Sequence, residues 1–135
     1  MSPELNVVRP LAHVVSNHDA DVDYGSLARR LYRERRARTT AFHHWRSLFG
    51  EPAWDILLEL YVAGAAGHAV CVGNACIAAD VAQTTGLRWV GKLEKLGLVT
   101  RHDDPADGRR GLVALTGRGR NEMEGYLRRL YTNIG

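Results

Sequence analysis

The stretch "GNACIAADVAQTTGLRWVGKLEKLGLVTRHDDPADGRRGLVALT", residues 73–116, decides the fold. Its opening, "GNACIAADV", reads as a short helix. After a tight turn at Val81 and Ala82, "AQTTGLRWVGKLEKLG" reads as a longer one. In "LVTRH" and "GLVALT" apolar and polar residues alternate, as they do in half-buried strands. Between the two strands Asp104-Pro105-Ala106-Asp107-Gly108 forms a polar turn, and Arg109 and Arg110 follow it at the tip of the hairpin. Short helix, turn, second helix and two-stranded wing make a winged helix-turn-helix. That arrangement suits duplex DNA. The second helix fits a major groove with its N-terminal residues at base edges, and the wing reaches the backbone or the narrow minor groove, whose potential attracts arginine.

The side chains fit this reading. Gln83, Thr84 and Thr85 open the second helix, and Arg88 and Lys92 lie four residues apart on one of its faces. Val90, Leu93 and Leu96 are expected to pack inward. A solvated turn has no need of the Arg109–Arg110 pair, whereas a hairpin that meets something negative does. The last helix, "GRGRNEMEGYLRRLY", has Thr116 as its expected N-cap and Met123, Leu127 and Leu130 on one face.

Upstream, residues 26–49 read as a helix, with Leu27, Leu31, Phe42, Trp45 and Phe49 compatible with a 3.6-residue period. Six of the ten residues from Arg29 to Arg38 are arginine, and the expected role of this run is a solvated face. The alternatives are a phosphate-facing or a subunit-facing helix. "EPAWDILLELYVAG" starts a further helix with Pro52 in its first turn, and Glu51 and Asp55 sit near the positive end of its dipole. Trp54, Leu57, Leu58 and Tyr61 form one face, and Ile56, Leu60 and Val62 widen it, so this is the expected central core helix. Gly64 and Gly67 break it, and "HAVCV" is short and β-like. Trp45, Trp54 and Trp89 are expected in the core. The expected organisation is an arm over residues 1–24 and one winged helix-turn-helix domain over 25–135. Within that domain lie a dimerisation helix (25–49), the helix-turn-helix and wing (73–116) and a C-terminal helix (117–132). The fold class is mainly α with a small β-hairpin.

Composition sets the outer bounds. At 135 residues, 45% hydrophobic and 24% charged, the chain has the make-up of one ordinary globular domain. Its net charge of +3 announces nothing by itself. Within residues 83–120, however, eight basic side chains stand against four acidic ones. Arginine supplies sixteen of the eighteen basic residues, and its guanidinium forms bidentate contacts with phosphate and guanine. No apolar run approaches the ~18 residues of a membrane span. The first residues, "MSPELNVVRP", lack a signal-peptide pattern, so the expected location is the cytoplasm. Cys71 and Cys76 form no disulfide framework. His43 and His44, adjacent on a helix, point about 100° apart and do not chelate one ion. No catalytic motif, cofactor site or metal site stands out.

The run "LEKLGLVTRHDDPADGRRGLVALTGRGR" resembles the MarR family of bacterial transcription regulators. The resemblance rests on Leu93, Glu94, Gly97, Leu98 and Val99, then Asp104, Asp107, Gly108, Arg109 and Arg110, then Leu115, Thr116, Gly119 and Arg120. It covers residues 48–130, and its weight lies in the composite rather than in any one piece. It implies a homodimer on a roughly palindromic double-stranded DNA operator, associated with the nucleoid. It places Thr84, Thr85 and Arg88 in the major groove, the wing arginines at the minor groove or phosphates, and Asp107 as the residue that orients Arg109 or Arg110. A small-molecule effector belongs to the same implication. The chain departs from the family pattern at Gly86, Leu87 and Gly91, which predicts a looser recognition helix. The alternative function is a winged-helix interaction module that has lost specific DNA binding.

Overall fold

The computed structural model describes residues 22–48 and 50–134. The order of elements is α1 (Tyr24–Ala41), a 3₁₀ segment (His43–Leu48), α2 (Pro52–Ala65), β1 (Val70–Cys71), α3 (Val72–Ala78), α4 (Gln83–Lys95), β2 (Val99–Asp104), β3 (Asp107–Leu115) and α5 (Gly117–Ile134). This is a winged helix-turn-helix: α3 and α4 form the helix-turn-helix, and β2 and β3 form the wing. The expected arm over residues 1–24 lies outside the described residues except for Val22, Asp23 and Tyr24.

The central helix is α2, as its apolar girth predicts. One side contributes Ile56, Leu60 and Ala63 to a cluster with Ala75, Ala79, Val90, Leu93, Val99 and Val113. The other side contributes Leu58 and Tyr61 to a cluster with Tyr24, Ala28, Met123 and Leu127. One helix thus joins the helix-turn-helix and sheet to the α1–α5 layer.

The sheet is larger than the hairpin expected from sequence. β1 pairs antiparallel with β3 through Val70–Val113 and Cys71–Leu112, giving the order β1-β3-β2. The "HAVCV" run was short and β-like in sequence, and its partner lies some forty residues away.

The helix expected over residues 26–49 is broken. α1 ends at Ala41, with Phe42 as its C-cap, and continues only as the 3₁₀ segment. Thr39 and Thr40 donate their hydroxyls back to the carbonyls of Arg35 and Arg36 at 3.1 and 3.0 Å, a local bond that weakens a helix. The apolar stripe beyond the break faces outward: Phe42 is 47%, Trp45 58% and Leu48 75% exposed. Trp45 is therefore not a core residue, whereas Trp54 and Trp89 pack against the two clusters. Phe49 lies outside the described residues. Leu96, expected to pack inward, is exposed at the C-cap of α4.

The arginine run on α1 is not simply a solvated face. Arg35 is buried, and its Nε donates to Asp55 Oδ1 on α2, whose side chain is fully buried. Arg35 Nη2 and Arg36 Nη2 both reach Asp55 Oδ2, at 3.3 and 2.9 Å. The Asp55 bond raises the Arg35 pKa above its ordinary value, against the opposing effect of burial. Arg36 also reaches Asp80 at 3.5 Å, and Tyr32 donates its hydroxyl to the Ala78 carbonyl at 2.9 Å. Asp80 adopts a positive φ of 58° in the turn between α3 and α4, a conformation that aspartate tolerates better than most residues. α1 is thereby fastened to the turn of the helix-turn-helix.

Candidate nucleic-acid interface

The geometry of α4 is set at its two ends. At its start, α3 and α4 cross so closely that a Cβ on Gly86 would lie 2.5 Å from Cys76 Sγ and 2.7 Å from Cys76 Cβ. Gly86 is buried in that crossing. Its effect is therefore the reverse of the loosening its helix propensity predicts: only a residue without a side chain lets the two helices meet here. Cys76 donates its thiol to the Gln83 carbonyl at 3.8 Å, and burial pushes the thiol pKa up, away from the thiolate that redox chemistry needs. Cys71 and Cys76 are both free.

At its other end α4 closes in a Schellman motif. Leu98 N–H donates to the Leu93 carbonyl and Gly97 N–H to that of Glu94, both at 3.0 Å, with Gly97 at φ 81°. Thr116 then locks this turn to α5. Its hydroxyl donates to the Gly97 carbonyl at 2.6 Å and accepts from Gly119 N–H at 3.0 Å, as an N-cap does. Thr116 N–H donates to the Leu98 carbonyl, against which Gly119 packs without room for a Cβ. The sequence pieces around Gly97, Thr116 and Gly119 thus hold the base of the wing and do not face outward.

With its ends fixed, α4 turns Gln83, Thr84, Leu87, Arg88 and Lys92 to the exterior, and Thr85 is half-buried. The Lys92 ammonium sits 4.7 Å from the Trp89 ring centroid, a cation–π contact that holds an exposed charge in place. Arg101 on β2 donates from Nε and Nη2 to Glu94 Oε1 at 3.1 and 2.8 Å, clasping the wing to α4. Sequence reading assigned no role to Arg101. Its alternation placed the residue on the exposed face of a strand but could not pair it with a carboxylate on the preceding helix.

The wing tip departs from a simple hairpin. Asp103 pairs with Gly111 but Asp104 pairs with Asp107, so Gly108, Arg109 and Arg110 bulge from the ladder. The strands extend further into the polar segment than expected and leave only Pro105 and Ala106 between them. Each aspartate first secures backbone: Asp104 Oδ1 accepts from Ala106 N–H at 2.9 Å, and Asp107 Oδ1 from Arg109 N–H at 3.1 Å. The same Asp107 oxygen accepts from Arg109 Nε at 3.2 Å, while Arg110 reaches Asp104 at 3.7 Å. The sequence left open which arginine Asp107 holds, and the structure pairs it with Arg109. The Arg109 side chain is still 92% exposed, so the pairing sets its direction without covering it.

The starts of α3 and α4 and the wing border an open hollow of about 540 Å³, lined by Gln83 and Leu87 of α4, Val72 of α3, and Arg101, Asp103 and Arg110 of the wing. Of the residues expected at the interface, Gln83 and Arg110 meet at this hollow. Thr84, Arg88 and Lys92 continue along the exposed side of α4, and Arg109 lies at the wing tip. Among the described residues no group of three potential metal-ligating side chains forms, and no helix is long and apolar enough to cross a membrane.

Comparison with known proteins agrees with this geometry. Residues 76–119 match the model of a winged helix DNA-binding domain. Among solved structures, the chain is similar to a probable transcriptional regulator from Pseudomonas aeruginosa, at 28% identity and a TM-score of 0.52. The match covers 85% of this chain and 83% of the other. It is similar to a MarR family transcriptional regulator from Silicibacter pomeroyi at 24% identity and a TM-score of 0.55, covering 73% and 68%. The heme sensor protein PefR from Streptococcus agalactiae, solved in complex with heme, aligns at 16% identity and a TM-score of 0.50, covering 62% and 54%. Among curated proteins nothing matches the chain. Residues 76–119 thus match a winged helix DNA-binding model, and the chain shares its fold with solved transcription regulators, a MarR family member among them.

Proposed function

We propose that this winged-helix protein is a homodimeric, sequence-specific regulator of transcription that binds double-stranded DNA. The observation that carries the reading is the shared hollow: the exposed start of α4 and the arginine-bearing wing flank one concave surface. In this reading Gln83, Thr84, Thr85 and Arg88 meet base edges in the major groove, with Arg88 suited to bidentate contact with guanine. Lys92 and Arg110 neutralise phosphates, and Arg109 enters the minor groove or grips the backbone with Asp107 orienting it.

Two-fold binding requires a second copy, and the exposed stripe of Phe42, Trp45 and Leu48 supports one. Large apolar side chains gathered at one place on the surface mark a contact face. Residues 25–49 are accordingly the proposed dimerisation segment, residues 73–116 the DNA-binding unit and residues 117–132 the helix that completes the domain. The proposed place of action is the cytoplasm, at the nucleoid. A small-molecule effector completes the proposal. PefR, a neighbour in the same fold, is a heme sensor, and that precedent supports regulation by a bound molecule.

The test is selection of bound sequences from random duplex DNA at two salt concentrations. The reading predicts enrichment of a two-fold symmetric site and weaker binding at higher salt. Recovery of unenriched DNA at both concentrations would contradict sequence-specific recognition.

A further inference from the structure

On the outward side of α4, Thr84, Leu87, Arg88 and Gly91 share a face by helical spacing. Three of these four bring little polarity: a threonine methyl, a leucine and no side chain at all. Leu87 is 37% exposed although it belongs to an amphipathic helix whose buried positions are Gly86, Val90 and Leu93. It lines the hollow between α4 and the wing beside Gln83, Arg101 and Arg110. Val72 also lines that hollow, yet Leu87 stays partly exposed on the side of α4 that carries Gln83, Thr84 and Arg88. A duplex in the major groove offers an apolar partner: of the four bases, only thymine presents a methyl group there.

We infer that Leu87 is a specificity-determining residue that reads the C5-methyl group of a thymine. The inference rests on the DNA-binding reading above and adds a chemical identity to the base that lies against α4. The neighbouring side chains do the complementary work. Gly91, one turn further along, adds no side chain of its own, and the Arg101 guanidinium lies beside it, 4.0 Å from where a Cβ would stand. Arg88, on the adjacent position, carries the hydrogen-bonding capacity that Leu87 lacks. Contact between the leucine and the thymine removes both apolar surfaces from water, and one buried methyl is worth about a fourfold change in affinity.

The experiment uses the full chain and duplexes selected by it from a random pool. Each thymine of the selected site is replaced in turn by deoxyuridine, which keeps the base pair and removes only the methyl group. For the unmodified protein, one position in each half-site should lose about fourfold in affinity. Leu87→Ala should bind the thymine and deoxyuridine duplexes alike, whereas Arg88→Ala should still distinguish them. Because Leu87 is partly exposed, a thermal melt of Leu87→Ala close to that of the parent confirms that folding is intact. Sensitivity retained in full by Leu87→Ala, or no thymine whose methyl group matters to the unmodified protein, would overturn the inference while leaving DNA binding standing. Absence of binding to any duplex at low salt would overturn the parent reading as well. In that case Leu87 would mark the surface of a protein-interaction module.

Discussion

Arginine is used in two opposite ways in this molecule. At the α1–α2 contact, Arg35 and Arg36 converge on the fully buried carboxylate of Asp55. At the wing, Arg109 and Arg110 meet Asp107 and Asp104 individually, and Arg109 remains almost wholly in solvent. The buried pairs are also the shorter ones, 2.9 Å for Arg36–Asp55 against 3.2 Å for Arg109–Asp107 and 3.7 Å for Arg110–Asp104, and their energetics differ. In the buried cluster the charges have lost their water, so each depends on the others. At the wing, water and salt screen the pairs, and the arginines stay available to an external anion. Burial is what separates the two sets most sharply: Asp55 is fully buried, whereas the Arg109 side chain is 92% exposed. The buried set fixes α1 against α2 and, through Arg36 and Asp80, against the helix-turn-helix. The exposed set is the one proposed to serve binding.

The most severe way to break this comparison is to remove the shared carboxylate. Asp55→Ala leaves Arg35 with Glu51 and Arg36 with Asp80, each at 3.5 Å, and should destabilise the fold by about 3 kcal/mol in urea denaturation. A loss below about 1 kcal/mol would place the buried set on the same footing as the wing pairs. Arg88→Ala tests the exposed side. It should leave stability unchanged to within about 0.5 kcal/mol, cost about 1–3 kcal/mol of binding at a specific site and relax preference there. Equal losses on specific and random duplexes would reassign Arg88 to the backbone. The smallest effect is expected from Asp107→Ala, about 0–1 kcal/mol in stability, with a weakening of DNA binding no greater than that caused by removing Arg109. A titration of binding affinity against each variant separates orientation by Asp107 from contact by Arg109.

A gentler comparison comes from acid. Asp23 caps α1 by accepting from Ser26 N–H at 3.0 Å and from the Ser26 hydroxyl at 2.6 Å, and these bonds hold its carboxyl pKa below the usual value. A depressed folded pKa means that the cap's contribution is complete above the ordinary carboxylate range. It is lost as pH falls through that range to the lowered value. Asp23→Ala should flatten this part of the acid-denaturation curve, and an unchanged curve would remove Asp23 from the account.

The sequence carried the helix-turn-helix and wing well because their signals are local. Alternation in "LVTRH" and "GLVALT", the polar turn and the apolar spacing of Val90 and Leu93 each lie within a few residues. What it missed is long-range. The partner of Arg35 lies twenty residues away on another helix, so a run rich in arginine could only be read by its average character, as solvated. Phe42 and Trp45 kept a helical period, but periodicity cannot tell a face turned to the core from one left on the surface. Gly86 was read by propensity as a weakness because the approach of Cys76 depends on how two helices cross. At the wing, the spacing of Asp107, Arg109 and Arg110 displayed the components, while the bulge that assigns Asp107 to Arg109 depends on strand register.

The central claim is that α4 and the wing form a surface for duplex DNA, and the salt dependence of binding by Arg109→Ala tests it most directly. Measured on a selected duplex, the slope of log affinity against log salt should be shallower than that of the unmodified protein by about one, with thermal stability unchanged. An identical slope in both proteins, despite clear binding, would show that the wing arginine does not meet the DNA and would contradict the account.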